Sequence, residues 1–372
     1  MTAPQSLIEH FSRLEDPRVE RNRKHELMDV IVLCVCAVVS GAEGWSDIEE
    51  FGRAKLDWLR RYVPLANGVP VDDTIARIIS ALSVSGFQDC FTSWMEDVVE
   101  FSGGEIIAVD GKAHRRSHDH KKGVKALHMV SAWACRNQLV LGQVKTQEKS
   151  NEITAVPELL ERLELSGCIV TVDAMGCQRE IATQVRAGGG DYVLPVKGNQ
   201  GTLEKEVRAY FDAAEEDDFL RPEIEDEATS EEGHGRVEHR SYFLSTDLGS
   251  LTVGERWPDL KAIGMVESER YSRDGVSIER RYFITSVDDI ELFHQAVRSY
   301  WGIENGLHWR LDVTFREDES RIRRGDAAHN LGVIRHVALN LLKSESSKIS
   351  VRKKRIRAGY NDHYRSKVLM GR

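Results

Sequence analysis

The rhythm of apolar positions changes twice along the chain. Up to about residue 101 it is helical. Residues 27–40 are an almost unbroken apolar run that stops at Gly41. Ser46, with Glu49 at capping-box spacing, predicts a helix to about Tyr62. A loop over 64–70 with a proline at each end breaks the pattern. Asp72 or Asp73 then heads a helix over 74–82, and Ser85 starts another to about Phe101. Residues 1–101 therefore read as an N-terminal helical domain.

From Glu105 the rhythm becomes that of an α/β protein. Ile106 to Val109 are four apolar residues in a row, as in a strand covered on both faces, and the run ends in Asp110. Residues 126–135 and 139–146 predict two strands joined by a tight turn at Arg136 and Asn137. Asn151 caps an amphipathic helix with Ile153, Val156, Leu159, Leu160 and Leu163 on one face. A second apolar run, from Cys168 to Val172, ends in Asp173. A helix over 179–187 stops at three glycines, a strand over 191–197 follows, and 202–214 is helical again. A meander followed by crossovers gives a mixed sheet with helices on it. The second change comes after residue 214. Residues 215–287 read as an acidic, solvated loop and a β-rich insertion, with strands over 236–245, 260–271 and 276–285. Residues 288–343 turn helical again and complete the core, ending in a helix over 327–343.

Two strands that each deliver an aspartate can set the carboxylates side by side if they are sheet neighbours. At an effective dielectric of about 20, two such charges 4 Å apart repel by roughly 4 kcal/mol. The pair needs a shared proton or a cation, and all-oxygen ligands suit Mg²⁺ or Mn²⁺. The competing reading is that each aspartate merely caps the turn after its strand. A metal site for phosphoryl transfer wants a third acid. Glu304, flanked by Trp301 and His308 one helical turn away, is the choice, and Asp312 is the rival. Lys112, Arg115, Arg116, Lys149, Lys197 and Asn199 follow strand ends or lie in adjacent loops, and Arg321, Arg323 and Arg324 form a cluster. They are the expected phosphate contacts. His118-Asp-His120 reads as a polar loop rather than a metal site.

Charge adds to this picture. The 372 residues carry a net charge of −9, which by itself argues against a polyanionic partner. The charge is segregated, however. Residues 212–232 hold eleven acids against one arginine, while the tail 344–372 holds nine Lys or Arg against two acids. No apolar run reaches the length of a membrane span, and the N-terminus lacks a signal peptide's basic start and apolar centre. The six cysteines are scattered without a C-x-x-C pair, as expected of reduced core thiols in a cytoplasmic protein with no membrane partner.

An ordered set of motifs carries a resemblance. It runs through Asp16-Pro-Arg18, Val109-Asp-Gly-Lys112, Glu148-Lys-Ser-Asn-Glu-Ile153, Thr171-Val-Asp-Ala-Met-Gly-Cys-Gln178 and Lys197-Gly-Asn-Gln200. It continues with Trp301-Gly-Ile-Glu-Asn-Gly-Leu-His-Trp309, Leu311-Asp-Val-Thr-Phe315 and Ala328-His-Asn330. In these the chain resembles insertion-sequence transposases of the ISAs-type and H-repeat-associated family, a branch of the DDE transposases. The resemblance implies an RNase H-like catalytic core in which the first and fourth strands are neighbours. It implies Asp110, Asp173 and Glu304 as a triad holding two Mg²⁺ or Mn²⁺ ions, with the insertion ahead of the Glu-bearing helix. It also implies cleavage of element ends in double-stranded DNA and their transfer to target DNA, by a homodimer on DNA. The helical domain would then be DNA-contacting or structural, and the basic tail would meet backbone phosphates. Related transposases carry Arg and Lys around the Glu where this chain has Tyr300 and Leu311. The alternatives are a catalytically silent relative that binds DNA, and a nuclease without strand transfer.

Overall fold

The computed structural model describes residues 3–99, 104–118, 126–146, 152–233, 236–252, 254–272 and 275–370. Six helices come first: α1 (Ala3–Phe11), α2 (Leu27–Val39), α3 (Trp45–Ala54), α4 (Leu56–Leu59), α5 (Asp72–Ala81) and α6 (Val84–Val98). α2 is apolar all round because it is covered all round: Val30, Ile31, Leu33 and Ala37 have no solvent contact. Two start signals differ from expectation. Asp47 Oδ2 accepts the Glu43 and Gly44 N–H groups at 2.9 and 3.0 Å, so α3 is capped there and not at Ser46. Glu49 is instead used between helices, accepting the Asp72 N–H at 2.7 Å. α6 is capped by Ser83, whose Oγ accepts the Gly86 N–H at 3.2 Å, rather than by Ser85.

β1 (Ile106–Ala113), β2 (His128–Ala134) and β3 (Leu139–Thr146) form an antiparallel meander. After α7 (Glu152–Leu160), β4 (Ile169–Val172) returns parallel to β1. After α8 (Arg179–Ala187), β5 (Asp191–Val196) lies parallel to β4. α9 (Gly201–Glu215) leads to β6 (Ile224–Gly233), β7 (Arg236–Ser245), β8 (Ala262–Ser272) and β9 (Gly275–Thr285). β9 pairs antiparallel with β5, so all strands form one mixed sheet in the order β3-β2-β1-β4-β5-β9-β8-β7-β6.

The acidic segment is corrected here: its second half is the strand β6, not a loop. Cations on neighbouring elements make an edge strand of that composition possible. Glu231 pairs with Arg240 at 3.2 Å and with Arg298 at 2.6 Å, and Glu227 meets His294 at 3.0 Å. The charges that remain on an outermost strand discourage pairing with another sheet.

α10 (Ile290–Ile303) crosses one sheet face, burying Phe293, Ala296 and Val297 against Ile169, Val193 and Phe283. A wider π-type turn, Glu304–His308, continues it into α11 (Trp309–Val313). α12 (Ala327–Ser344) lies in the core shared by the first helices and the opposite sheet face. Its buried amides are satisfied. Asn340 bridges the Val140 N–H and C=O at 3.0 and 2.9 Å, and Asn330 donates to the Ile79 C=O at 2.8 Å.

The basic tail folds into α13 (Val351–Tyr360) and α14 (Asp362–Leu369). Two of its arginines reach groups left over at the end of α2, while Arg352, Lys353 and Arg357 stay exposed. Arg355 donates to the Val38 and Ala42 carbonyls at 2.9 and 2.7 Å. Arg365 is fully buried over Trp58 and donates to Ser40 Oγ at 2.9 Å. All six cysteines are free thiols. Among the described residues, no helix is long and apolar enough to cross a membrane.

Candidate active site at the carboxyl ends of β1 and β4

β1 and β4 run in register from the Ile106–Ile169 pair to the Val109–Val172 pair. Asp110 and Asp173 are the next residues on each strand, so the parallel pairing delivers both to one level of the sheet. Even-numbered side chains of β1 face α10. Asp110 is mostly buried, with 18% of its side chain exposed. Burial first, and then the charges of Asp173 and Glu152, push its carboxyl up to about 7. Asp173 also caps the turn behind it, Oδ1 accepting the Gly176 N–H at 3.0 Å. The turn-capping role weighed for this residue is therefore real and coexists with its place beside Asp110.

The helix over the site brings the other polar groups. Tyr300 donates its hydroxyl to Asp110 Oδ1 at 3.2 Å, and His308 Nδ1 lies 3.5 Å from Asp110 Oδ2. On a regular α-helix, side chains eight residues apart diverge by about 80°. A single π turn takes up one extra residue and reduces this to roughly 20°. The turn at Glu304–His308 thus lets both groups reach the same carboxylate. Gly306 allows the turn to sit this low, since a Cβ there would lie 2.7 Å from the Trp133 ring. Burial lowers the His308 imidazole to about 4, so it is neutral at ordinary pH. The Tyr300 phenol is pushed up by burial, then by Asp110 and Asp173, with Glu304 adding to the effect. Glu304 itself is exposed at the start of the π turn.

Behind Asp110 stands a pair that pattern reading missed. His128 Nε2 and Glu152 Oε1, both buried, are 2.5 Å apart. Gly111 packs against them, and a Cβ there would lie 2.6 Å from His128 Nε2. In front of Asp173 an open cleft is lined by Lys197, Arg281, Tyr300 and Trp301. Arg281 lies over the Trp301 ring, 4.9 Å from its centre.

The expected phosphate contacts divide. Lys197, Arg115, Arg116, Arg321 and Arg324 are exposed. Arg115 leans on Asp318 at 3.2 Å. Arg323 is half-buried and donates to the Arg116 carbonyl at 3.0 Å. Asn199 is exposed as well, and its side chain donates to the Ala174 carbonyl at 2.7 Å, which holds the turn behind Asp173. Lys112 is enclosed by Asp312 at 2.6 Å, Glu317 at 3.1 Å and Asp318 at 3.4 Å. Asp312, the rival third acid, therefore already has a counter-charge. Lys149 and most of His118-Asp-His120 lie outside the described residues.

Asp110, Asp173 and Glu304 are hard oxygen donors, and burial first, then the charges of Asp173 and Glu152, hold Asp110 well above the usual carboxylate range. That chemistry fits a divalent cation. Among the described residues, no three His, Cys, Asp or Glu side chains already stand within reach of one ion.

Comparison with known proteins places the chain in a family. The model described as "Transposase DDE domain" matches residues 101–341, and the one described as "DDE_Tnp_1-associated" matches residues 8–95. The chain is 42% identical to the H repeat-associated protein YhhI of Escherichia coli (strain K12), over 98% of both chains. It is 44% identical to YncI of Escherichia coli O157:H7, over 98% of this chain and 94% of that protein. Among solved structures, a piggyBac transposase synaptic complex with hairpin DNA matches with a TM-score of 0.46 and 12% identity, covering 99% of this chain and 77% of that one. On the matching domain and on relatives that align along nearly its whole length, the chain belongs to the DDE transposase family, with the H-repeat-associated proteins.

Proposed function

We propose that the protein is a DNA transposase that cleaves the ends of its element and joins them to target DNA. The observation that carries this reading is the register of β1 and β4, which sets Asp110 and Asp173 next to each other under the Glu304 helix. The strands β3-β2-β1-β4-β5 serve as an RNase H-like core. Asp110, Asp173 and Glu304 would hold Mg²⁺ or Mn²⁺, which when bound supplies charge stabilisation for the attacking and leaving oxygens of a phosphoryl transfer. The chain's own groups do the rest. His308 and Tyr300 orient Asp110, and Asn199 steadies the Asp173 turn. Lys197 and Arg281 receive a phosphate beside Asp173, with Trp301 as the wall. Arg115, Arg116, Arg321, Arg323 and Arg324 contact backbone farther along the duplex. Transposition needs two element ends, which supports a dimer on DNA.

A second reading, a silent relative that binds DNA without cutting it, draws on Tyr300, which stands where related transposases carry Arg and occupies Asp110 Oδ1. The test is incubation with a plasmid carrying the DNA that flanks the gene, with Mg²⁺, Mn²⁺ or EDTA. Metal-dependent cuts at defined positions followed by joined products support the transposase. Cuts that are never joined identify a nuclease. Sequence-specific binding without cuts identifies the silent relative.

A further inference from the structure

Lys112 lies two residues beyond Asp110 on the same face of β1, yet it is not offered to a phosphate: only 10% of its side chain is exposed. Its three carboxylate partners all come from the chain that follows Glu304. Asp312 sits on α11, eight residues past Glu304 on the same continuous helix. Beyond α11 the backbone turns at Arg316, which has a positive φ of 50°. That turn carries Glu317 back under Lys112. The Glu317 carboxyl is 1% exposed, and both its oxygens are engaged. Oε2 faces Lys112 at 3.1 Å and His114 at 3.4 Å, while Oε1 faces Arg335 of α12 at 3.4 Å. Burial opposes charge on Glu317, but His114, Lys112 and Arg335 together outweigh it and keep the carboxyl well below the usual range.

The helix over the sheet therefore meets β1 on both sides of Glu304, with His308 also beside Asp110. Tyr300 bonds Asp110 on one side of Glu304, and Asp312 bonds Lys112 on the other. Glu304 lies between these contacts on an exposed turn.

We propose that Lys112, through Asp312 and Glu317, is a positioning residue that fixes where Glu304 stands relative to Asp110. This rests on the reading of Glu304 as the third acid. It assigns Lys112 a role other than the phosphate contact that its place in the sequence suggests. Losing an indirect partner of a metal ligand typically weakens metal binding by about 10–100-fold.

The experiment is calorimetric titration of Mn²⁺ into the full-length protein and the variants Glu304→Gln, Lys112→Met and Glu304→Gln/Lys112→Met. Lys112→Met/Glu317→Gln, which removes a buried cation and a buried anion together, guards against a folding defect, and urea unfolding monitors the fold. Glu304→Gln and Lys112→Met should each weaken Mn²⁺ binding at least about tenfold. The Glu304→Gln/Lys112→Met protein should bind no more weakly than Glu304→Gln alone. Folded Lys112 variants that bind Mn²⁺ like wild type overturn the proposal. So does a further loss in the Glu304→Gln background equal to that of Lys112→Met alone, because the effect would then bypass Glu304. Failure of both Lys112→Met and Lys112→Met/Glu317→Gln to fold makes Lys112 a structural residue and also overturns it. If Glu304→Gln itself binds like wild type, the third-acid reading fails and takes the proposal with it.

Discussion

Replacing Asp110 by asparagine should make the metal-free protein more stable, not less. The reason lies in the cost of an ionised carboxyl at this place. Burial and the neighbouring Asp173 and Glu152 hold the folded-state pKa at about 7, against 3.8 for an unperturbed aspartate. The sign follows from proton counts. Between these two values the folded protein binds the proton and the unfolded chain does not, so wild-type stability from this group falls as pH rises, and levels off above about 7. Three units at 1.36 kcal/mol each amount to about 4 kcal/mol above pH 7, about half of that near pH 5.5, and almost nothing near pH 3. The asparagine avoids the cost, since its amide carries no charge and its oxygen still accepts the Tyr300 hydroxyl. Urea unfolding of both proteins in EDTA, at several pH values between 4 and 8, gives the difference directly. The advantage of asparagine should grow with pH and then flatten. A difference that is flat with pH, or a less stable Asp110→Asn variant at pH 8, would refute the electrostatic account of the site. Adding Mn²⁺ should favour wild type alone.

Three further outcomes follow from the packing and the surface charges. Gly111→Ala places a Cβ 2.6 Å from His128 Nε2 and inside contact distance of Glu152, so it should cost about 1–3 kcal/mol in urea unfolding. An unchanged midpoint would mean that this wall yields. Arg365→Ala leaves the carbonyls of Ala358 and Gly359 and Ser40 Oγ without their buried donor. It should lower stability by about 3–5 kcal/mol, whereas a loss under about 1 kcal/mol would place the tail outside the core energetics. Arg321→Ala/Arg324→Ala should weaken binding to all DNA sequences alike and reduce the slope of log affinity against log salt by about two, measured by fluorescence anisotropy in EDTA. An unchanged slope removes both residues from the phosphate contacts.

The parts of this molecule legible in the sequence are those where local pattern and burial agree. Ile106 to Val109, and Ile169 to Val172 apart from Thr171, are apolar because both faces of their strands are covered, and a run of that kind ending in Asp is readable without a structure. The helix of residues 179–187 and the strand of 236–245 have the bounds that their periodicity predicts. The misreadings come from charges whose partners are distant in sequence. The acids of β6 look like a solvated loop until Arg298, 67 residues on, is placed against Glu231. The cations of the tail look free until Arg355 and Arg365 are found at the end of α2, more than 300 residues away. Lys112 looks like a phosphate ligand because Glu317, its buried partner, lies 205 residues on. Ser46 failed as a cap because Asp47 reaches back to the backbone first. A usable signal did exist for Lys112: it shares a strand face with Asp110, and that face has to be covered. Tyr300 carried a signal too, being one helical turn before Glu304, where any side chain must point at the site.

The most direct test of the central claim is the loss of one acid with its turn intact. Asp173→Asn keeps an oxygen for the Gly176 N–H that Asp173 Oδ1 now accepts at 3.0 Å, so the local fold should survive. Wild type and Asp173→Asn are compared for binding and cleavage of DNA from the flanks of the gene, with Mn²⁺ and with EDTA. Wild type should cut only with metal, at defined positions, and the variant should bind the same DNA without cutting it. Cutting by wild type in EDTA, or undiminished cutting by the variant, would contradict it.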